Sequence, residues 1–351
     1  MTFCVDQWTN GGCQRQDSWT PTVLVPGVSC SHKDLMKVAV IGAGAIGGWV
    51  AGRLAIAGHD VAVLARRATA GALADGITIA ERGEERTARP RIAKDAGTLG
   101  PQDVLVIAVK APAMAEAAAA ARPLIGPTTL IVPMMNGVPW WFIDGAPLAS
   151  VDPDGRIAAA LPLPQVLGCV VHAACRRASP ARIEVAMLDK LLVGEPSGGA
   201  SDRATALAKM LAEAGLAGEA TADVRRATWY KLWGNMTTNP ISALTLATAD
   251  RILANTETRA FMLRCMAEAA AIGAAIGCPI TESGEDRVAV TATLGAFKTS
   301  MLQDVEAERP IELDALLGAP LEIAARVGVP APNLAALHGL ARLMGESRGL
   351  L

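Results

Sequence analysis

The sequence has no apolar run long enough to cross a membrane and no large excess of either charge. Apolar residues make up 51% of its 351 residues. They occur in short blocks rich in alanine, valine and leucine, whereas a spanning helix needs about 20 apolar residues in a row. The formal net charge is −2 with both signs dispersed, so neither a nucleic acid nor an anionic membrane is an expected partner. These absences favour a small-molecule partner.

Cysteine pairs at the spacing of a metal site are also missing from the sequence. The seven cysteines include no C-x-x-C pair, and no histidines stand at ligand spacing beside them, which argues against a zinc site. An odd number of thiols does not suggest a disulfide framework either, so buried thiols in a reducing compartment are the simpler interpretation. We therefore expect a cytoplasmic protein without a bound metal.

The first 35 residues differ in character from the rest. They show no helical or strand periodicity, and their one apolar patch, Val23 to Val28, is interrupted by Pro26 and Gly27. Such a patch does not make the apolar core of a signal peptide. Residues 1–35 are therefore predicted to be a disordered tail or the product of a start codon assigned too far upstream. The working protein is then expected to begin at Met36.

A chain of this length usually exceeds one hydrophobic core, so two domains are expected. From Lys37 the pattern is an apolar strand, the glycine turn Gly42 to Gly47, an alanine-rich helix to Gly58 and a second strand from Asp60. That order is a βαβ unit whose first strand is buried on both faces of a parallel sheet. Five further strands are predicted for the same sheet: 77–79, 104–109, 129–132, 166–172 and 191–194.

From about residue 221 the strand patterns give way to helical spacing. The predicted helices cover 222–238, 251–276, 282–296, 300–308, 311–327 and 333–344, separated by glycine or proline. We therefore predict an α/β protein. An N-terminal Rossmann-type doubly wound domain, residues 36–220, precedes an all-α domain for substrate and catalysis, residues 221–351.

The motif Gly42-x-Gly44-x-x-Gly47 follows the first strand and opens the first helix. In that position the first glycine permits a tight turn, the second lets the backbone approach a pyrophosphate, and the third lets helix and strand pack closely. The alternative is a chance glycine-rich turn in an α/β protein. The residues predicted to bind the cofactor are Gly42, Ala43, Gly44, Ala45, Ile46 and Gly47.

The end of the second strand predicts the cofactor. NAD-specific folds carry an acid there for the ribose hydroxyls, whereas this chain reads Leu64-Ala65-Arg66-Arg67. A guanidinium suits the 2′-phosphate of NADP, so NADPH is predicted, with two solvated surface arginines as the alternative. Lys110 and Asn136 follow two later strands on the edge where ligands bind, and are predicted to lie near the nicotinamide or the substrate. For Lys110, a polar residue that marks the start of a loop is the alternative.

Lys231, Asn235 and Asn239 stand at i, i+4 and i+8 of a predicted helix and therefore share one stripe. Pro240 is expected to kink or end that helix near Asn239. Reducing a ketone requires a hydride and a proton for the oxygen, and a lysine whose pKa is lowered by partial burial can supply that proton. Asparagine amides can hold a carboxylate. The alternative is a surface lysine among indifferent polar residues.

Ser300 and Glu312 are further candidates that local patterns explain differently. Ser300 with Gln303 fits a capping box, and Glu312 falls in a first helical turn behind Pro310, where an acid suits the helix dipole. From position alone, both residues are interpreted as capping residues.

Four blocks, taken in order, resemble the ketopantoate reductase (2-dehydropantoate 2-reductase) family from about Met36 to the end of the chain. They are Gly42 to Gly48, Asn136-Gly137, Lys231-xxx-Asn235-xxx-Asn239-Pro240, and Ser300-Met301-x-Gln303-Asp304 with Glu312 after it. The resemblance implies reduction of 2-dehydropantoate to pantoate, in the route to pantothenate. It implies that Lys231 is the general acid, assisted by Glu312. The implied substrate-binding residues are Asn136, Asn235, Asn239 and Ser300, and Arg66, Lys110 and Asn136 are implied to serve NADPH.

One departure from the family pattern keeps the substrate open. The loop Val138-Pro139-Trp140-Trp141 is bulkier than expected and can reshape the pocket, so a paralogue that reduces another branched or aromatic 2-keto acid is the nearest alternative. A 3-hydroxyacid dehydrogenase is more distant, because its Met-x-x-Asn after the glycines is replaced here by Gly48-Trp49-Val50-Ala51. A non-catalytic NADPH-sensing module leaves the Lys231 set without a role. A homodimer stays open as well.

Overall fold

Residues 35–351 are described by the computed structural model, apart from the side chains at 67 and 68. The expectation of a dispensable segment at residues 1–35 falls almost entirely outside the described residues. The strands are β1 (Lys37–Ile41), β2 (Asp60–Leu64), β3 (Ile77–Glu81), β4 (Glu84–Ala88), β5 (Arg91–Ala93), β6 (Val104–Ile107), β7 (Leu130–Pro133), β8 (Gly168–Ser179), β9 (Arg182–Gly194) and β10 (Gly218–Ala220).

The helices alternate with these strands at first and then follow one another. They are α1 (Ala45–Ile56), α2 (Arg67–Ala72), α3 (Met114–Ala121), α4 (Arg156–Ala160), α5 (Asp202–Glu213), α6 (Val224–Thr245), α7 (Ala249–Ala254), α8 (Thr256–Ala275), α9 (Gly284–Ala292), α10 (Ser300–Glu306), α11 (Ala319–Val327) and α12 (Pro332–Arg348). A π-helical turn, Asp314–Gly318, precedes α11. No helix within residues 35–351 is both long and apolar enough to cross a membrane.

The first sheet is parallel and has the order β5-β2-β1-β6-β7. Its central strand β1 is buried from Val38 to Ile41, because α-helices cover both faces of a sheet built from βαβ units. The strand order reverses direction between β1 and β6, and ligands of such sheets bind at the carboxyl ends of the strands beside that point. The predicted α/β class with a helical C-terminal part is confirmed.

The prediction that every strand joins one sheet is wrong for the segments at 77–79, 166–172 and 191–194. They lie in a second, mixed sheet of order β10-β9-β3-β4, with β8 paired to β9. The long antiparallel hairpin β8–β9 exposes much of its outer half, as a sheet covered on one face does. This second sheet packs on α1, where Cβ atoms added at Gly48 and Gly52 would meet Ile183 and Ile79 at 3.2 and 2.6 Å.

The helix that carries the predicted catalytic stripe is longer than expected. Asp223 caps α6 by accepting a hydrogen bond from the backbone N–H of Arg226 at 2.9 Å, and the helix continues through Pro240 to Thr245. The expected end near Asn239 is therefore wrong. Residues 239–243 are all buried, so tertiary packing outweighs the one hydrogen bond that a proline removes.

Another predicted helix, residues 251–276, is divided into α7 and α8. Asn255 leaves the helical conformation between them, with φ −85° and ψ 115°. Its side chain accepts a hydrogen bond from the backbone N–H of Thr258 at 2.9 Å. An asparagine at this position starts a new helix because its amide oxygen satisfies one of the first N–H groups.

Candidate active site

The glycine turn after β1 has the geometry that its spacing predicts. Gly42 has a φ of +103°, and a Cβ there would lie 2.5 Å from the carbonyl oxygen of Ala108. A Cβ at Gly47 would lie 1.9 Å from the carbonyl oxygen of Gly42, so the first turn of α1 lies too close to the glycine turn for any side chain. Among residues 35–351, a Cβ at Gly44 would meet nothing within 4 Å. The middle glycine therefore faces open space, which is where a ligand can approach the backbone.

That open space lies at the N-terminus of α1, which begins at Ala45. Within the described part of the chain, no side chain caps the helix and no acid stands in its first turn. The first N–H groups of an α-helix have no intrahelical acceptor, and the helix dipole adds partial positive charge at this end. Gly44, Ala45 and Ile46 together fit the pyrophosphate of a dinucleotide.

Two cations stand near the carboxyl edge of the first sheet. Arg66 follows β2, adopts the N-cap position of α2 and is exposed. Within residues 35–351 its guanidinium forms no ion pair. Lys110 follows β6 and forms an ion pair with Asp304 of α10, which is buried; its amine also lies 3.5 Å from the Pro310 carbonyl oxygen. Lys110 therefore joins the carboxyl edge of the first sheet to the helical part.

Asn136 lies in the loop after β7, and the next residue explains how this loop is held. Gly137 has a φ of +82°, and a Cβ there would lie 2.5 Å from the carbonyl oxygen of Ala315 in the π-helical turn. The backbone N–H of Val138 donates to that same oxygen at 2.8 Å. Asn136 is consequently fixed against the chain segment that carries Glu312.

Lys231 extends from α6 across to this loop. Its Nζ donates to Oδ1 of Asn136 at 2.9 Å and to the backbone carbonyl of Val171 on β8 at 2.8 Å. Burial lowers the pKa of Lys231 to about 8, although the neighbouring Glu312 carboxylate opposes that shift. The amine is therefore half-buried, held by two neutral acceptors, and close to titrating near neutral pH.

Glu312 is buried behind Asn136. Its Oε1 accepts a hydrogen bond from the backbone N–H of Ala111 at 3.1 Å, and its carboxylate also accepts one from the Asn136 side chain. Burial raises its pKa, against the lowering effects of these hydrogen bonds and of Lys110. Asn136 thus binds Lys231 through its oxygen and Glu312 through its amide nitrogen, which forms a chain of three side chains.

The interpretation of Ser300 and Glu312 as capping residues is wrong. Thr299 caps α10, because its hydroxyl accepts a hydrogen bond from the Leu302 backbone at 3.2 Å. Ser300 is the exposed first residue of α10. The Glu312 side chain accepts hydrogen bonds from the Ala111 backbone and from another loop, as described above, and not from its own helix.

The three polar residues of the α6 stripe occupy different surroundings. Lys231 and Asn235 line one cleft together with Asn136. Asn239 is buried one turn further along, with its Nδ2 3.5 Å from the Ser300 hydroxyl. The structure therefore brings Lys231, Asn235 and Asn136 together. Asn239, at the next turn of α6, lies instead beside Ser300 of α10.

Across the described residues, no group of three or more His, Cys, Asp or Glu side chains is arranged to hold a metal ion. The four described cysteines, Cys169, Cys175, Cys265 and Cys278, are free thiols. Cys169 lines the cleft beside Lys231, and burial raises the pKa of its thiol to about 12. That thiol is protonated at neutral pH and is a poor nucleophile.

Family models match most of the chain. Residues 38–198 match the model described as ketopantoate reductase PanE/ApbA, and residues 223–345 match the model of the ketopantoate reductase PanE/ApbA C terminal. The chain belongs to the ketopantoate reductase family.

The chain aligns with nearly the whole length of its relatives. A 2-dehydropantoate 2-reductase of Mesorhizobium japonicum is 41% identical over 323 residues, which is 90% of this chain and 99% of the relative. A crystal structure from Ralstonia solanacearum, assigned as a ketopantoate reductase, is 50% identical, with a TM-score of 0.87, and covers 91% of this chain and 100% of that one. The crystal structure of a 2-dehydropantoate 2-reductase from Methylococcus capsulatus is 31% identical, with a TM-score of 0.77. The match covers 89% of this chain and 97% of that one.

Membership of the ketopantoate reductase family fixes the reaction class. The chain is an oxidoreductase that acts on CH–OH groups, in a family that depends on NAD(P). The glycine turn and the uncapped start of α1 have a geometry that fits the pyrophosphate of a dinucleotide.

Within this ketopantoate reductase fold, several site groups have no signal in the sequence. The carbonyl of Val171 holds Lys231, and His172 beside it has its pKa lowered to about 4 by burial and by nearby cations, chiefly Lys231. A backbone acceptor leaves no mark in the sequence, so only the packing of β8 against α6 reveals it. Trp141 also lines the cleft, and its Nε1 is buried without a hydrogen-bond partner among the described residues.

Proposed function

We propose that this chain is a cytoplasmic, NADPH-dependent reductase that converts 2-dehydropantoate to pantoate. The observation that carries the proposal is the contact between the Lys231 amine, from the helical part, and Asn136, at the carboxyl edge of the dinucleotide-binding sheet. An amine at that edge lies beside the position that a ketone must take to receive hydride from a nicotinamide. The free cysteine thiols support a reducing compartment.

Lys231 is proposed as the general acid. NADPH supplies the hydride when it is bound. An ammonium has three N–H donors, and Asn136 and Val171 accept two of them. The third remains for the carbonyl oxygen of the substrate, where it stabilises the developing negative charge and then passes a proton to it. A pKa near 8 suits this role, because the amine is protonated at neutral pH yet loses its proton readily.

Glu312 is proposed as a positioning residue and as the electrostatic counterpart of Lys231. Its negative charge acts to raise the Lys231 pKa, which limits the lowering caused by burial. Through its hydrogen bond from Asn136 it also fixes the orientation of the amide whose oxygen binds Lys231. A buried glutamate in contact with two elements can therefore keep the acid both placed and protonated.

The substrate carboxylate is proposed to be held by neutral donors. Asn235 lies in the cleft one turn from Lys231. Asn239 and Ser300 provide an amide and a hydroxyl at the following turn. Amides and hydroxyls bind a carboxylate without adding a titrating group near the acid. Asn235 and Asn239 lie four residues apart on one face of α6, and Ser300 of α10 lies beside Asn239.

The cofactor is proposed to be NADPH on the basis of Arg66. It follows β2 where an NAD-specific fold carries an acid, and its guanidinium is exposed. Lys110 is proposed to serve the same cofactor while it is paired with Asp304. An arginine binds a phosphate through two parallel charge-assisted hydrogen bonds, and a ribose hydroxyl offers no such partner.

A second candidate is a paralogue with the same machinery and another 2-keto acid. It is favoured by Trp141, whose buried ring lines the cleft beside Lys231. An aromatic wall suits an aromatic or branched side chain on the substrate. Both candidates predict the same roles for Lys231 and Asn136, and they differ only in the group that faces Trp141.

The decisive assay follows NADPH absorbance with the purified chain and a panel of 2-keto acids. We expect the highest kcat/KM for 2-dehydropantoate, and at least about tenfold higher kcat/KM with NADPH than with NADH, which corresponds to one charge-assisted phosphate contact. Turnover of an aromatic keto acid, with 2-dehydropantoate near background, would select the second candidate. Absence of NADPH oxidation with every acid would contradict both.

The pH dependence of kcat follows from the lowered pKa of Lys231. In the reductive direction the acid must be protonated, so kcat is expected to be level below about pH 7 and to fall roughly tenfold per pH unit above pH 8. In the oxidative direction the neutral amine is the base, so kcat should rise through the same range. The measurement is kcat at saturating substrates from pH 5.5 to 10 in both directions.

His172 provides the control for this profile. Its lowered pKa, about 4, keeps it neutral throughout the measured range, so His172→Gln should leave the alkaline limb in place. A reductive kcat that stays level to pH 10, or a limb that disappears in the His172→Gln variant, would assign the titration to a group other than Lys231.

A further inference from the structure

Arg177, near the end of β8, reaches the glycine turn from the second sheet. Its Nη1 donates to the carbonyl oxygen of Ala43 at 3.3 Å. The strand ladder pairs Arg177 with Ile183, and directly opposed residues of an antiparallel pair project from the same face. Ile183 in turn packs on the first turn of α1 at Gly48. A packed hairpin therefore holds Arg177 beside the start of α1.

The Arg177 side chain is exposed and lies beside a helix end that carries the same sign of charge. The N-terminus of α1 carries partial positive charge, and a cation beside it is repelled. Within the described part of the chain, Arg177 forms no ion pair, whereas the adjacent Arg176 pairs with Glu184. An anion between the start of α1 and Arg177 would convert the repulsion into two attractions.

The space beside Arg177 is built to receive such an anion. Among the described residues, none would lie within 4 Å of a Cβ added at Gly44, and no side chain caps the first N–H groups of α1. A guanidinium carries five N–H donors in a rigid fork, and the contact with Ala43 uses one of them. The remaining donors are available to a phosphate oxygen.

We propose that Arg177 binds the pyrophosphate of the dinucleotide, opposite the N-terminus of α1. The proposal rests on the proposed function only for the identity of the cofactor. It assigns different phosphates to two arginines, because Arg66 follows β2 on the ribose side of the sheet edge. Arg177 should then support NADPH and NADH equally, since both carry the pyrophosphate, while Arg66 supports NADPH alone.

The test is direct binding of each dinucleotide, followed by quenching of tryptophan fluorescence without any keto acid present. Arg177→Ala is expected to raise Kd for both NADPH and NADH by about tenfold or more, the effect of one charge-assisted contact. Arg66→Ala is expected to raise Kd for NADPH only. Arg177→Lys should give an intermediate Kd, because it keeps the charge and loses the fork.

Arg176→Ala is the matched control, since it removes an exposed arginine one position along the same strand, where the side chain is paired with Glu184. Its Kd values should stay within about twofold of those of the unchanged protein. Wild-type Kd values for both dinucleotides in Arg177→Ala would overturn the proposal, as would a loss confined to NADPH. An unchanged protein that binds neither dinucleotide would refute the cofactor itself, and binding without keto-acid turnover would refute only the proposed function.

Discussion

Replacing Lys231 with alanine is expected to lower kcat for keto-acid reduction by about 10²- to 10⁴-fold while the Kd for NADPH stays within about twofold. The variant removes both the proton donor and the positive charge that faces the substrate oxygen, so the loss is confined to the transition state. The glycine turn and the start of α1 belong to other elements and keep their geometry. Stopped-flow turnover and a fluorescence titration of NADPH measure the two quantities separately.

Lys209 provides the comparison for that variant. It lies exposed on α5 and pairs with Glu213 one turn along the helix, so Lys209→Ala should keep the full kcat. A small primary amine added to the Lys231→Ala protein is expected to restore part of the activity, because it can occupy the vacated position beside Asn136 and Val171. A kcat within threefold of normal in Lys231→Ala would remove Lys231 from the mechanism.

The features that the sequence predicts well are those set by neighbouring residues. An apolar strand, a G-x-G-x-x-G turn and an alanine-rich helix form a βαβ unit through local contacts, and β1, β2 and α1 fall where this pattern places them. Lys231 and Asn235 share the cleft because residues four apart lie on one face of a helix. Helical periodicity alone decides that geometry.

The features that could not be predicted depend on pairing between distant segments. The strand patterns at 166–172 and 191–194 are equally compatible with either sheet, and only the β8–β9 hairpin and its packing on α1 decide between them. The acceptor at Val171 and the bridge from Asn136 to Glu312 likewise depend on which loops meet. Thr299 and Ser300 are both good caps, and the backbone conformation selected Thr299.

Adding a methyl group at two glycines of one motif is expected to have different effects, on stability at Gly47 and on dinucleotide binding at Gly44. In Gly47→Ala the new Cβ would lie 1.9 Å from the backbone oxygen of Gly42. A backbone atom cannot rotate away as a side chain can, so α1 must move away from the glycine turn, and that overpacking costs about 3 kcal/mol or more. Thermal unfolding should show a Tm lowered by several degrees, or the protein should be recovered only as aggregate.

Gly44→Ala is expected to leave folding intact and to weaken the cofactor. Its Cβ would meet no atom within 4 Å in the part of the chain that the structure describes, so the Tm should match that of the unchanged chain. The methyl group would instead occupy the space through which a pyrophosphate approaches the backbone, and we expect Kd for NADPH and NADH to rise by about tenfold or more. Each variant is the control for the other, because both add one methyl group to the same turn. Normal dinucleotide binding by a folded Gly44→Ala protein would place the phosphates elsewhere, since space that can be filled without loss is not the space the ligand uses.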